Sequence, residues 1–320
     1  LPYNSDDLCV SYKKSAFQTA FHHRGKFQNG YFNGLNNIFT IHNGEIMDTH
    51  NVRLPAVSGS FYPSDSNKLD HMISDLIGGV KIEQEFDRII GLIVPHAGYI
   101  YSGKTAAYSY SVIRKNDRRK FIIVGPNHRS FPPYAAISTS GFWETPLGRA
   151  KIDENLANLL VSHSRALVKD SMAQREEHSV EVQIPFLQHL FGDNFSFVPI
   201  ILGDQDEDTA IELSREIEPF ADDATIIASS DLTHYDPLET AQSKDARLIN
   251  DIISLNTERF YETLRSFRIT ACGYGAIAIL MEVTKRLGGK IKLLNYSTSF
   301  DYSRDSSFVV GYSSLVSYID

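Results

Sequence analysis

The chain has 320 residues, 42% hydrophobic and 22% charged, so it reads as a folded soluble protein with enough apolar content for a large core. A formal charge of −8, with Lys and Arg scattered apart from short runs such as RKNDRRK at 114–120, argues against a nucleic-acid partner. No stretch reaches the roughly 18 consecutive apolar residues of a membrane span, LPYNSDDLCVSYKKSAF lacks a secretory apolar run, and Cys9 and Cys272 are too few and too far apart for a disulfide framework, which together fit a cytoplasmic location.

In chain order, residues 1–50 stand apart. GKFQNGYFNGLNNIFTIHNGE is rich in Asn and Gly, which interrupt helical and strand periodicity, so a poorly ordered N-terminal extension is expected there. MDTHNVRLPAVSGSFYP from Met47 reads as a natural start, and Cys9, His22, His23 and His42 are assigned to no site. Residues 51–320 then read as one α/β domain. Leu69, Met72, Ile73, Leu76 and Ile77 share a helical face, with Ser66 or Asn67 as the cap. RIIGLIVP (88–95) and KFIIVGP (120–126) are continuous apolar runs, as expected of strands buried on both faces. DENLANLLVSHS repeats the helical stripe, FSFVPIIL (195–202) and ATIIASS (224–230) are strands again, and CGYGAIAILMEVTKRLGG reads as a buried helix stopped by Gly288 and Gly289. KLLNYSTS and SSFVVGYSSLVSY close the chain as strands. Such alternation predicts a three-layer α/β/α fold around a mostly parallel or mixed sheet.

Three of the predicted strands run into chemistry: one into His96, one into His128, and one into Asp231 and His234. In open α/β sheets ligands bind beyond the carboxyl ends of the strands, where rigid elements make side chains converge. Cys272 stands at the start of the predicted helix, where the positive end of the dipole, and any bound metal, favours thiolate; taken alone it reads more readily as a buried, inert thiol. His96, His128 and Cys272, with Asp231 and His234 nearby, supply the N, S and O donors that iron, copper or zinc accept. Their spacing is too long for a local metal finger, so the fold must assemble the site.

Other signals are weaker. GYGAIA at 273–278 matches G-x-G-x-x-A, but LLNYS further on offers no acidic residue for a ribose, which excludes a dinucleotide fingerprint. Nucleophile-elbow, Walker and H-E-x-x-H motifs are absent. Ser229 and Ser230 are therefore expected to satisfy backbone groups or orient Asp231. Glu176 and Glu177 read as acidic residues at a helix N-terminus, and His178 as a pocket wall or a donor to a ligand. Tyr99 and Tyr101, beside His96 and Gly98, read as pocket or core. His71, His163 and His189 sit in helical patterns and are taken as structural.

RLPAVSGSFYP, PHAGYIYSG, GPNHR, TPLG, EEHSVEVQIPFL, SSDLTHY and ACGYG resemble, in order and spacing, the motifs of the Memo family, whose prokaryotic members are called AmmeMemoRadiSam system protein B. The likeness runs from about residue 52 to the C-terminus. It implies a fold similar to that of class III extradiol dioxygenases of the LigB type, which are non-haem iron enzymes. By motif it makes His96, His128 and Cys272 the metal trio, an Fe(II) or Cu site with zinc as a third choice, and Asp231 and His234 the adjoining catalytic pair. Cys272 stands where those dioxygenases use a carboxylate, which implies a different metal preference and redox behaviour. Vertebrate Memo proteins are described as copper- or iron-binding redox and signalling proteins that recognise phosphotyrosine peptides; their Trp in a GSWY stretch is Phe61 here. With Tyr99, His178 and Phe61 as pocket residues, the implied function is oxygen-linked redox chemistry on an unknown small molecule or peptide. The alternatives are a non-catalytic module that holds a peptide or small anion, and a zinc hydrolase. The family name also implies a functional link to an AMMECR-type protein and a radical SAM enzyme.

Overall fold

The computed structural model describes the backbone of residues 29–34, 37–42 and 45–48, and residues 51–320 apart from 116, 130 and 131. The chain divides into two compact units, Leu1–Asn51 and Val52–Asp320. In the first, β1 (Asn29–Gly34), β2 (Asn37–His42) and β3 (Glu45–Asp48) pair antiparallel in that order. The rest of the expected extension, including Cys9, His22 and His23, lies outside the described residues.

The second unit begins with β4 (Val52–Arg53), α1 (Ser66–Gly78), β5 (Arg88–Val94), α2 (Tyr99–Ile113), β6 (Lys120–Pro126), β7 (Ala135–Ile137), β8 (Phe142–Thr145) and β9 (Gly148–Ile152). It continues through α3 (Glu154–His163), β10 (Leu167–Lys169), α4 (Ile184–Phe191), β11 (Ser196–Leu202), α5 (Glu207–Ile217), β12 (Ala224–Ser229) and β13 (His234–Asp236). It closes with α6 (Leu238–Ile253), α7 (Thr257–Ser266), α8 (Tyr274–Arg286), β14 (Lys290–Thr298), α9 (Phe300–Ser303) and β15 (Val309–Ile319). Helix α1 is capped by Asp65, whose side chain accepts from Lys68 N at 2.9 Å, rather than by Ser66 or Asn67. The cap has to precede the first helical turn in an extended backbone, and Asp65 is the residue that does.

The sheet runs β13-β15-β5-β12-β6-β11-β9-β8-β4. Its centre, β5-β12-β6-β11, is parallel, while β15 joins β5 antiparallel and carries β14 on the same terms. The central strands are buried on nearly every residue, which is why they read as unbroken apolar runs and not as alternating ones. Helix α8 packs over β12, β6 and β5, and α2 packs over β15, β14 and β5, so helices cover both faces of the sheet. Gly91 in β5 permits this closeness: a Cβ there would lie 2.5 Å from Ile226 O and 2.6 Å from the Leu280 side chain of α8. Among the described residues no helix is long and apolar enough to cross a membrane.

Candidate metal centre

Because β5, β12 and β6 are parallel neighbours, their carboxyl ends lie side by side. His96, Asp231 and His128 each follow two residues after the last residue of one of them, Val94, Ser229 and Pro126. Helix α8 brings Cys272 to the same edge, and Gly273 makes the approach possible. A Cβ at 273 would fall on Ser229 O and lie 2.8 Å from Ser230 Cβ, so any larger residue would push the N-terminal end of α8 off the end of β12.

The result is a compact donor set. Cys272 Sγ lies 3.0 Å from His96 Nε2, and one ligand atom from each of His96, His128 and Cys272 lies within 4.8 Å of the others. The same separation holds for Asp231, His234 and Cys272, and for His128, Glu177 and His178. The His96 and His128 rings stand edge to face with centroids 5.1 Å apart, and His178 stacks on His128 at 4.5 Å.

Each ligand candidate is held from behind. The His96 backbone N donates to Asp231 Oδ1 at 2.8 Å, and its Nδ1 contacts Ser229 Oγ at 2.9 Å. Ser229 Oγ also donates to Ser179 O at 2.6 Å and accepts from Gln183 Nε2 at 2.8 Å. Gln183 in turn accepts from Tyr110 OH at 2.7 Å. His128 is gripped by Glu177, with backbone N to Oε2 at 2.6 Å and Nδ1 to Oε1 at 2.9 Å. Asp231 N donates to Cys272 Sγ at 3.3 Å. His234 Nδ1 lies 2.8 Å from Leu232 O and 2.9 Å from Thr270 O; both partners are carbonyls, which can only accept, so Nδ1 is the donor in both contacts.

Burial dominates the electrostatics. It holds the His96 imidazole well below its ordinary range, helped by His128 and His178, and brings His178 down to about 4 against the pull of Glu177. Burial would raise Glu177, yet the hydrogen bond from His128, its charge and further backbone donors outweigh that and keep the carboxylate at about 2. Asp231 is pushed up by burial, against the opposing effect of His234. Cys272 is also pushed up, by burial and then by the Asp231 carboxylate. Desolvation of the buried sulfur thus works against the thiolate that the helix end would favour.

The fold therefore brings together His96, His128, Cys272, Asp231, His234 and His178, and sets the Phe61 ring 4.7 Å from that of His178. Tyr99 stands apart: its hydroxyl donates to Val182 O at 2.6 Å and its ring packs on Tyr62 and Phe186, so its contribution is its backbone N, which holds Phe61 O at 2.8 Å. Ser229 orients His96 and not Asp231, while Ser230 donates to Asp231 O and accepts from Gly273 N. Glu177 serves His128 instead of a helix terminus. Sequence reasoning also missed Gln183 and Glu181; Glu181 is fully buried and accepts from Arg53, Tyr62, Ala56 N and Val57 N. The available signal was a run of Glu, His and Gln inside an otherwise apolar stretch, EEHSVEVQIPFL, more polar groups than a plain amphipathic helix needs.

This is an α/β protein that gathers imidazole nitrogens and a thiol, donors that could hold a metal ion, at the carboxyl ends of parallel strands. The profile of the family described as Memo-like protein matches residues 53–316, and the chain belongs to the Memo family. It is 49% identical over 265 residues to a MEMO1 family protein of Thermoplasma volcanium, covering 83% of this chain and 98% of that one. It is equally 49% identical over 267 residues to one of Thermoplasma acidophilum, with 83% and 99% covered. A MEMO1 family protein of Nitrosopumilus maritimus is 41% identical over 271 residues, with 82% and 98% covered.

Proposed function

We propose that this Memo-family chain holds a single Fe(II) or Cu ion through His96 Nε2, His128 Nε2 and Cys272 Sγ, and that its role is redox chemistry on a small molecule or peptide. The observation that carries the reading is the separation of the three donor atoms, all within 4.8 Å of one another although they come from three separate elements. Nitrogen and sulfur ligands at ordinary metal distances sit about 3.3–3.6 Å apart around a tetrahedral ion, so small side-chain movements would complete the site. One thiolate with two imidazoles suits copper or iron, and also zinc. When bound, such an ion supplies Lewis acidity and, for iron or copper, an electron.

The chain's own residues supply the rest. His234 places a ring nitrogen within 4.8 Å of Asp231 and Cys272 while carbonyls hold its Nδ1, the position of a group that takes up or gives a proton. Asp231 ties the parts together, with Oδ1 on His96 N and its backbone N on Cys272 Sγ. His178, neutral at pH 7 because it titrates at about 4, and Phe61 form a wall without net charge on the side of His128.

Protein purified under nitrogen is expected to carry iron or copper, one ion per chain by elemental analysis, and Cys272→Ser is expected to lose most of it. Wild-type protein that takes up neither metal, with Cys272→Ser indistinguishable from it, would overturn the reading. Bound metal without oxygen uptake, together with a ligand whose binding is lost in His234→Ala, would make the protein a binding module rather than an oxidoreductase. Activity restored by zinc and not by iron or copper would make it a hydrolase.

A further inference from the structure

Both proposed imidazole ligands are supported by one short turn, residues 177–179, which lies in neither of their strands. From the side of β6, His128 Nδ1 meets Glu177 Oε1, and the same oxygen accepts from His178 N and Ser179 N, each at 2.8 Å. From the side of β12, Ser179 O accepts from Ser229 Oγ, which meets His96 Nδ1. Ser179 is pinned in turn: its hydroxyl donates to Pro126 O at 2.9 Å, and its Oγ lies 2.5 Å from where a Cβ at Gly125 would stand. The two histidines are thereby joined, behind the site, by hydrogen bonds that meet at the backbone of Ser179.

Counting protons along that chain fixes both rings. A serine hydroxyl has one proton to give and two lone pairs. The carbonyl of Ser179 can only accept, so the Ser229 proton goes there. Gln183 Nε2 can only donate, and it fills one of the Ser229 lone pairs. The remaining lone pair faces His96 Nδ1, which must therefore carry the ring proton. At His128 the partner is a carboxylate that already receives two backbone N–H groups on the same oxygen, so Nδ1 is again the donor. In each neutral ring the proton on Nδ1 leaves Nε2 bare, and His96 Nε2 is the atom 3.0 Å from Cys272 Sγ.

We propose that Ser229 and Glu177 are positioning residues which, through the 177–179 turn, lock His96 and His128 as Nδ1–H tautomers and so present two Nε2 lone pairs to Cys272. The inference rests on the metal reading for its purpose, but its test does not need metal. Without the Ser229 hydroxyl, the buried His96 Nδ1–H has no acceptor, whereas a proton moved to Nε2 would find the Cys272 sulfur at hydrogen-bond distance. Ser229→Ala should therefore flip the His96 ring to the Nε2–H tautomer, the form that cannot bind a metal through Nε2. Glu177→Gln replaces one acceptor oxygen by an NH2 group, which meets either the backbone N–H of His128 or its Nδ1–H.

The experiment is 15N NMR of the imidazole nitrogens in metal-free protein, with metal affinity measured in parallel by titration of Cu(II) and anaerobic Fe(II). Wild type is expected to show protonated Nδ1 at His96 and His128. Ser229→Ala is expected to move the proton at His96 alone and to weaken metal binding by about 10- to 100-fold, the usual effect of losing an outer partner of a ligand. Glu177→Gln is expected to weaken binding over the same range while leaving the His96 tautomer as it is. Nε2–H signals at both histidines of the wild type, or a Ser229→Ala protein that folds with unchanged His96 signals, would overturn the proposal. Should Ser229→Ala fail to fold, the wild-type tautomers and the affinity of Glu177→Gln still decide it. Correct tautomers in a wild type that binds neither metal would instead sink the metal reading and leave the positioning intact.

Discussion

Gly311→Ala tests how the segment carrying Asp231 and His234 is held. Gly311 pairs with that segment from β15, with Leu232 N donating to Gly311 O at 2.8 Å and Gly311 N to Thr233 O at 2.9 Å. A Cβ at 311 would land on Asp245 Oδ2 and lie 2.9 Å from Asp245 Cγ. Asp245 has no freedom to yield: it is fully buried, Oδ1 accepts from Thr233 N at 3.0 Å, and Oδ2 accepts from Tyr296 OH at 2.8 Å. Displacing the carboxylate would leave the buried Thr233 N–H without a partner, at about 1–3 kcal/mol, and the half-buried Tyr296 hydroxyl at less, so the substitution is expected to cost about 2–4 kcal/mol. Urea unfolding of metal-free protein, with stability taken from the midpoint and slope, measures this directly. Asp245→Ala removes the obstruction, so the double variant should be more stable than the sum of the two single losses predicts, by about 1–3 kcal/mol. A Gly311→Ala protein within about 0.5 kcal/mol of wild type, or a strictly additive double variant, would refute the reasoning.

Four further outcomes follow from the same geometry. Glu177 drops from an ordinary 4.5 to about 2 on folding, so it contributes stability above pH 4.5 that is lost as pH falls towards 2. At about 1.4 kcal/mol per pH unit this amounts to about 3 kcal/mol, and Glu177→Gln should flatten the stability curve over that window. His178, brought from 6.5 to about 4 by burial, works in the same sense, since acid must charge a buried ring: stability is lost between about pH 6.5 and 4, and His178→Gln should remove that limb of an acid titration followed by circular dichroism. Arg53→Ala would strip the fully buried Glu181 of its cation, 2.5 Å away, and is expected to destabilise by about 3–5 kcal/mol in urea, with an effect below 1 kcal/mol counting against the pair. His234→Ala should retain bound metal by elemental analysis while shifting the pH profile of any turnover, whereas loss of metal would place His234 among the ligands.

Much of this was legible before any fold was known. The unbroken apolar runs at 88–95, 120–126, 195–202 and 224–230 announce strands buried on both faces, because burial on both sides removes the polar alternation a half-exposed strand would show. The histidines and the aspartate that follow those runs, and Cys272 ahead of a helix, pointed to the one edge of the sheet where the fold gathers them. What the sequence could not decide was adjacency. The strands run in the order β5-β12-β6 across the sheet and not in chain order, and that permutation places Asp231 between His96 and His128. Nor does the sequence say which groups stand behind the candidate ligands. Glu177 and Ser229 look like a helix-end acid and a strand-end hydroxyl, yet they are joined through Ser179 into one support because separate segments meet in space. A side chain's type and local period are written in its neighbours along the chain; its hydrogen-bond partner across 50 residues, as between Ser229 and Ser179, is set only when packing closes the interior and leaves one acceptor within reach.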